Sequence, residues 1–201
     1  MSLINSNTKE IHCKIVYYGP SLSGKTTNMQ WMYHKMTGQD KSVLHEEPSH
    51  LPGDPERTMF FDFLPVEVGE IRGYQTRFHL YTVPGQVVYD ASRKLILKNL
   101  DGVIFVADSQ QERMEENIQS MKNLEENLTR LGFNIREIPM VIQYNKRDLP
   151  NAVPIEEMRV ALNHFNKPEY EGKANKGDGV MESFKNVSKS IITVLKGGAL
   201  A

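Results

Sequence analysis

Apolar and polar positions along the chain fall into blocks of two different periods. Residues 11–18, Ile-His-Cys-Lys-Ile-Val-Tyr-Tyr, read as a strand, and the Gly-Lys-Thr-Thr that follows opens a helix with Met29, Met32 and Met36 on one face. That methionine stripe is expected to be core. From 38 to 56 the pattern breaks into a polar stretch carrying Pro48, Pro52 and Pro55, too irregular for an element and long enough to suggest function. Residues 59–68 and 74–83 are two β-rich runs joined across Gly69-Glu70-Ile71-Arg72-Gly73, which predicts an antiparallel hairpin.

Beyond the hairpin, strands and helices alternate. Residues 102–108 form the short apolar run of a strand buried on both faces, and a helix over 111–131 follows, ended by Gly132. The pair repeats as a strand over 138–144 and a helix over 155–164. A last helix over about 180–195 places Phe184, Val187, Ile191 and Leu195 at helical spacing. The order predicts an α/β fold: a mixed, mainly parallel sheet with one antiparallel edge hairpin and helices on both faces. No repeat or composition break divides the chain, so a single domain over 1–201 is expected.

Composition narrows the partners. The formal charge is −1, which gives no field favouring nucleic acid or an anionic membrane as the main partner. No run approaches the roughly 20 apolar residues of a membrane span or the apolar core of a signal peptide, so a cytoplasmic location is expected. Cys13 is the single cysteine and reads as a small buried hydrophobe. The terminal Gly-Gly-Ala-Leu-Ala is no prenylation box and Ser2 cannot be myristoylated, so no direct lipid anchor is expected.

Two motifs carry chemistry. Gly19-Pro20-Ser21-Leu22-Ser23-Gly24-Lys25-Thr26, with Thr27 after it, fits the phosphate-binding loop pattern, lying between a predicted strand and a predicted helix. Its backbone N–H groups and the helix N-terminus would cradle a phosphate chain, with Lys25 on the outer phosphates and Thr26 on magnesium. Asn145-Lys146-Arg147-Asp148 follows a buried strand, where α/β proteins bind ligands. Asp148 can accept two N–H bonds from a guanine edge, whereas adenine would leave the carboxylate unpaired, so the pair of motifs selects GTP over ATP.

With these residues the chain resembles Ras-like small GTPases. The Thr82-Val83-Pro84-Gly85-Gln86 stretch and the residues after it resemble the bacterial MglA branch. The resemblance covers nearly the whole chain and implies the P-loop GTPase fold. It implies that Arg57-Thr58 is a first switch, with Thr58 sensing the γ-phosphate through magnesium, and that Pro84-Gly85-Gln86 is a second. It also implies that Lys173-Ala174-Asn175 is the last base-contacting loop, with the Ala174 N–H on the guanine carbonyl. The expected ligands are GTP/GDP and Mg2+. The expected partners are a roadblock-type GTPase activator like MglB and effectors of motility or cell polarity, with partners recruiting a monomer to a cell pole.

One feature departs from that family: Thr82 stands where Ras-like proteins generally carry a magnesium-supporting Asp. Antiparallel pairing about a turn near residues 71 and 72 brings Asp62 across from Thr82 or its neighbour, so Asp62 is a candidate to replace the carboxylate. The alternative is a strand-end acid bonded to nearby backbone or a basic side chain. For hydrolysis, Gln86 is the candidate to orient water and Arg57 to neutralise transition-state charge in cis. Arg57 as a solvated loop charge, or one that acts only when a partner holds its loop, is the competing reading. Two rival functions remain at this level: a GTP-loaded binding module with negligible turnover, and an ATP-dependent P-loop enzyme.

Overall fold

A computed structural model describes residues 3–37, 45–48, 60–85 and 90–198, giving backbone alone for 3, 37, 45–48, 60–65, 67–69, 90 and 198. Among these residues the strands are β1 (Leu3–Asn5), β2 (Glu10–Tyr18), β3 (His45–Pro48), β4 (Phe60–Ile71), β5 (Tyr74–Thr82), β6 (Gly102–Asp108), β7 (Met140–Asn145) and β8 (Glu169–Glu171). The helices are α1 (Lys25–Thr37), α2 (Asp90–Leu97), α3 (Met114–Arg130), α4 (Ile155–Leu162) and α5 (Val180–Gly198). All eight strands share one sheet in the order β3-β4-β5-β2-β6-β7-β8, with β1 paired to β2.

The parallel part follows from burial. Every residue of β6 and β7 is buried, so both need cover on two faces, and crossover helices supply it. On β2 the odd positions Ile11, Cys13 and Ile15 join Met29 of α1 and Phe184, Val187 and Ile191 of α5 in one core. Val16 and Tyr18 face the other core, with Leu124 and Leu128 of α3. The helical stripe on α1 is only partly core: Met29 and Met32 have no exposed surface, but Met36 is 46% exposed.

The hairpin forms as expected, β4 antiparallel to β5. Arg72 and Gly73 both have positive φ (50° and 81°), the backbone of a tight turn whose twist matches the strands it joins. The register shifts between Glu67 and Gly69, so an extra residue is absorbed mid-strand. Two expectations need correction. The stretch over 38–56 contains the short strand β3, which pairs antiparallel with β4 and takes the sheet edge from the hairpin. At the opposite edge lies β8, a strand of three residues parallel to β7.

On the face of β2 and β5 turned away from the core of Ile11, Cys13 and Phe78, His12 Nδ1 and His79 Nε2 are 2.7 Å apart and the two rings stack. Glu10 lies 3.5 Å from His12 Nε2 and 3.3 Å from Arg77.

Candidate functional site

The parallel strands β2, β5, β6 and β7 deliver their carboxyl ends to one rim of the sheet, and the motif residues gather there. After Tyr18 the chain turns at Gly19 (φ 145°), where a Cβ would fall 2.2 Å from Val106 O of β6. Gly24 (φ 100°) closes the loop against Asn145, whose Nδ2 would lie 2.2 Å from any Cβ there. No side chain fits at either place, so the loop can wrap a ligand with backbone alone. Helix α1 starts at Lys25, aiming its free N–H groups into the loop.

Lys25 is buried and its ammonium donates to Gly19 O (3.0 Å) and Pro20 O (2.6 Å), across the mouth of the loop. Thr26 is exposed one residue on. A hydroxyl there, beside an ammonium and a ring of amide donors, is the oxygen ligand that a magnesium ion on a phosphate chain takes. From the start of α3, Arg113 donates to Ser21 O (2.8 Å) and pairs with Glu116, clamping the loop from outside.

The base end is held by one amide. Asn145, buried at the end of β7, donates through Nδ2 to Ser23 O (2.8 Å) and accepts the Ala174 N–H at Oδ1 (2.9 Å). The N–H expected on a guanine carbonyl is therefore engaged by the Asn145 side chain. Lys146 (φ 65°) sends its ammonium back to Asp108 Oδ2 (2.5 Å) and Gln110 Oε1 (3.2 Å). Asp148 is exposed and accepts from Asn175 Nδ2 (3.3 Å), with Lys176 3.9 Å away. The Asn175 hydrogen bond, followed by a backbone N–H, holds its carboxyl below the usual carboxylate range. A cleft of about 210 Å³ opens between Leu22, Thr27, Asp148, Leu149, Ala174 and Asn175. Beside it the 173–178 turn closes on itself through Lys173 N to Asp178 O (3.0 Å) and rests on α1, where Gly177 meets the ring of Trp31.

The candidate switch residues divide. Gln86, Arg57 and Thr58 lie outside the described residues. Thr82 is buried, paired with Tyr17 of β2. The last recorded pair of the hairpin, Phe63 with Tyr81, continues by one position to set the Asp62 backbone opposite Thr82, and β3 sets Glu46 beside Asp62 on its other side. Gly85 touches the phosphate loop: a Cβ on it would fall 2.2 Å from Ser21 Cα and 2.4 Å from Ser21 N.

Sequence reasoning missed Arg93 and Asn117. Asn117 of α3 brackets Asp108, accepting its N–H (2.9 Å) and donating to its carbonyl (2.7 Å). Arg93 of α2 has no exposed surface and bonds the carbonyls of Pro84 and Gly85. Its helical spacing to Ile96 and Leu97, both buried, was the signal for an inward-facing arginine.

Among known proteins, the family model of the ADP-ribosylation factor (Arf) family matches residues 54–191. The mutual gliding-motility protein MglA of Myxococcus xanthus (strain DK1622) is 60% identical over 198 residues, covering 98% of this chain and 100% of the relative.

Proposed function

Since this chain belongs to the Arf family of small GTPases and, within it, to proteins like MglA, we propose that it is a GTP-hydrolysing molecular switch that acts in gliding motility or cell polarity. The observation that carries the nucleotide reading is the pair of hydrogen bonds made by the Asn145 side chain, which joins the phosphate cradle to the turn bordering the base cleft. A ligand with a phosphate chain at one end and a guanine edge at the other spans that joint. Residues 19–27 hold the phosphates and Asp148 takes the guanine N–H groups, with Asn145 and Lys146 supporting the cleft. Ala174 turns its N–H to the guanine carbonyl when the base is in place.

Thr26, Thr58 and Asp62 would hold magnesium, which when bound neutralises phosphate charge. Gln86 orients the attacking water, and Arg57 stabilises charge spreading over the transferred phosphoryl group. The two switches, Thr58 and Pro84-Gly85-Gln86, draw in on GTP and relax on GDP, and partners read the difference. One G domain spans 1–201. As the MglA resemblance implies, a roadblock-type activator like MglB accelerates turnover, which is slow without it, and motility or polarity effectors bind the GTP form. The chain acts as a cytoplasmic monomer brought to a cell pole by partners.

Single-turnover hydrolysis of GTP by the purified chain with magnesium tests this reading. Conversion of bound GTP to GDP that falls at least about tenfold in Gln86→Ala, with ATP failing to compete for the site, is the expected result. Tight GTP binding with no turnover, alone or with an activator, would instead favour a GTP-loaded binding module.

A further inference from the structure

Arg93 is the largest of the fully buried side chains among the described residues. Its guanidinium reaches three ways. Nε donates to Pro84 O (2.8 Å) and Nη2 to Gly85 O, two successive carbonyls just before Gln86. Nη1 donates to Asn123 Oδ1 of α3 (2.8 Å), and the Tyr18 ring lies beneath the guanidinium, 5.4 Å from its centroid. Asn123 is fixed in turn: its Oδ1 accepts from Tyr18 OH (2.5 Å) and Asn127 Nδ2 (3.2 Å).

Space-filling does not explain this choice, because a Leu or Met would fill the volume without desolvating a cation. What only a planar fork of donors can do is bond two adjacent carbonyls while anchored on a third group. Those carbonyls belong to the segment whose Gly85 already touches Ser21 of the phosphate loop. The segment is therefore held from both sides, by the loop in front and by Arg93 behind.

We propose that Arg93 is a positioning residue for the second switch, setting the backbone from which Gln86 reaches the γ-phosphate and tying that backbone to Asn123 on α3. The proposal rests on the GTPase reading for its catalytic consequence but not for its structural one. Asn123 is not one of the residues lining the nucleotide cleft, so the coupling makes α3 a remote control point for the Pro84-Gly85 backbone.

The test uses the full chain loaded with GDP and magnesium. Arg93→Met keeps the volume and removes the donors, Asn123→Ala removes the anchor, and Asn123→Asp restores an acceptor. Amide hydrogen exchange at Gly85 and Gln86 is expected to rise about tenfold or more in Arg93→Met and less in Asn123→Ala, with the 19–27 loop within about twofold of the parent. Asn123→Asp returns exchange to near the parent level. GTP turnover is expected to fall about tenfold in Arg93→Met while GDP affinity stays within about twofold. Unchanged exchange at Gly85 and Gln86, or exchange and affinity degraded alike over both segments, would overturn the proposal. If Arg93→Met does not fold, the Asn123 pair alone decides it. A parent chain that hydrolyses no GTP would sink the GTPase reading while leaving the exchange measurement to judge the latch.

Discussion

Asn145 Nδ2 lies 2.8 Å from Ser23 O, so one buried amide fastens the end of a central strand to the phosphate loop. Its oxygen holds the Ala174 N–H at the same time. Asn145→Ala orphans both groups, at about 1–3 kcal/mol each if water does not reach them. Urea unfolding should show a lower midpoint with an unchanged slope, and bound GDP should dissociate faster. A variant as stable as its parent would mean the amide fastens nothing.

Asp148 should decide between purines. Asp148→Asn is expected to weaken GTP binding by about ten- to a hundredfold, the worth of hydrogen bonds to a charged acceptor, while ATP binding stays as poor as before. Since the Asn175 hydrogen bond holds the Asp148 carboxyl below its usual range, GTP affinity should be flat from pH 7 to about pH 5 and decline only at more acidic values. Calorimetric titration at several pH values reads both effects.

Gly85 has no room for a methyl group. In Gly85→Ala the added carbon meets backbone atoms of Ser21, which cannot rotate away, so the second switch must part from the phosphate loop. Overpacking of this kind costs about 1–3 kcal/mol, and exchange should quicken over residues 19–24. Unaltered exchange there would show that the contact is dispensable.

The hairpin register that pairs Phe63 with Tyr81, continued by one position, brings the Asp62 backbone against Thr82, where a family acid is missing. If its carboxylate substitutes, Asp62→Ala raises the magnesium concentration needed for half-maximal GTP binding by about tenfold, a loss of one charge-assisted ligand. An unchanged magnesium requirement rules the substitution out.

His79 gives the fold a pH dependence. Burial first, then His12 and Arg77, push its imidazole below the ordinary value, so the unfolded chain binds that proton more readily. Its contribution to stability is unaffected above about pH 7, declines as the pH drops through about 6.5, and levels off below the depressed native value. His79→Gln should flatten that part of the curve of urea midpoint against pH between 7.5 and 5. An undiminished slope would assign it to another group.

The cradle and the Asn145-Asp148 motif were legible because each is a local spacing whose chemistry depends on neighbours in sequence. The antiparallel register that pairs Phe63 with Tyr81 was legible because a hairpin's period of two fixes its partners, whereas the extra residue between Glu67 and Gly69 left no mark in the pattern. Strands β3 and β8, of four and three residues, are too short to show a period. Met36 continues the stripe of α1 but is 46% exposed near the end of the helix, so spacing alone overstated the core. Arg93 was hidden for another reason: its partners are two carbonyls and an amide 30 residues further on.

Trp31 is the chain's single tryptophan, and its ring lies on Gly177 in the turn beside Ala174 and Asn175. It belongs to the same helix that begins at Lys25. The indole thus joins the helix that begins in the phosphate loop to the turn at the base end of the cleft, and its emission reports on that contact. Were a bound guanine to draw the 173–178 turn inward, the packing of that one fluorophore would change, and loading would register in its emission without a label or a modified nucleotide.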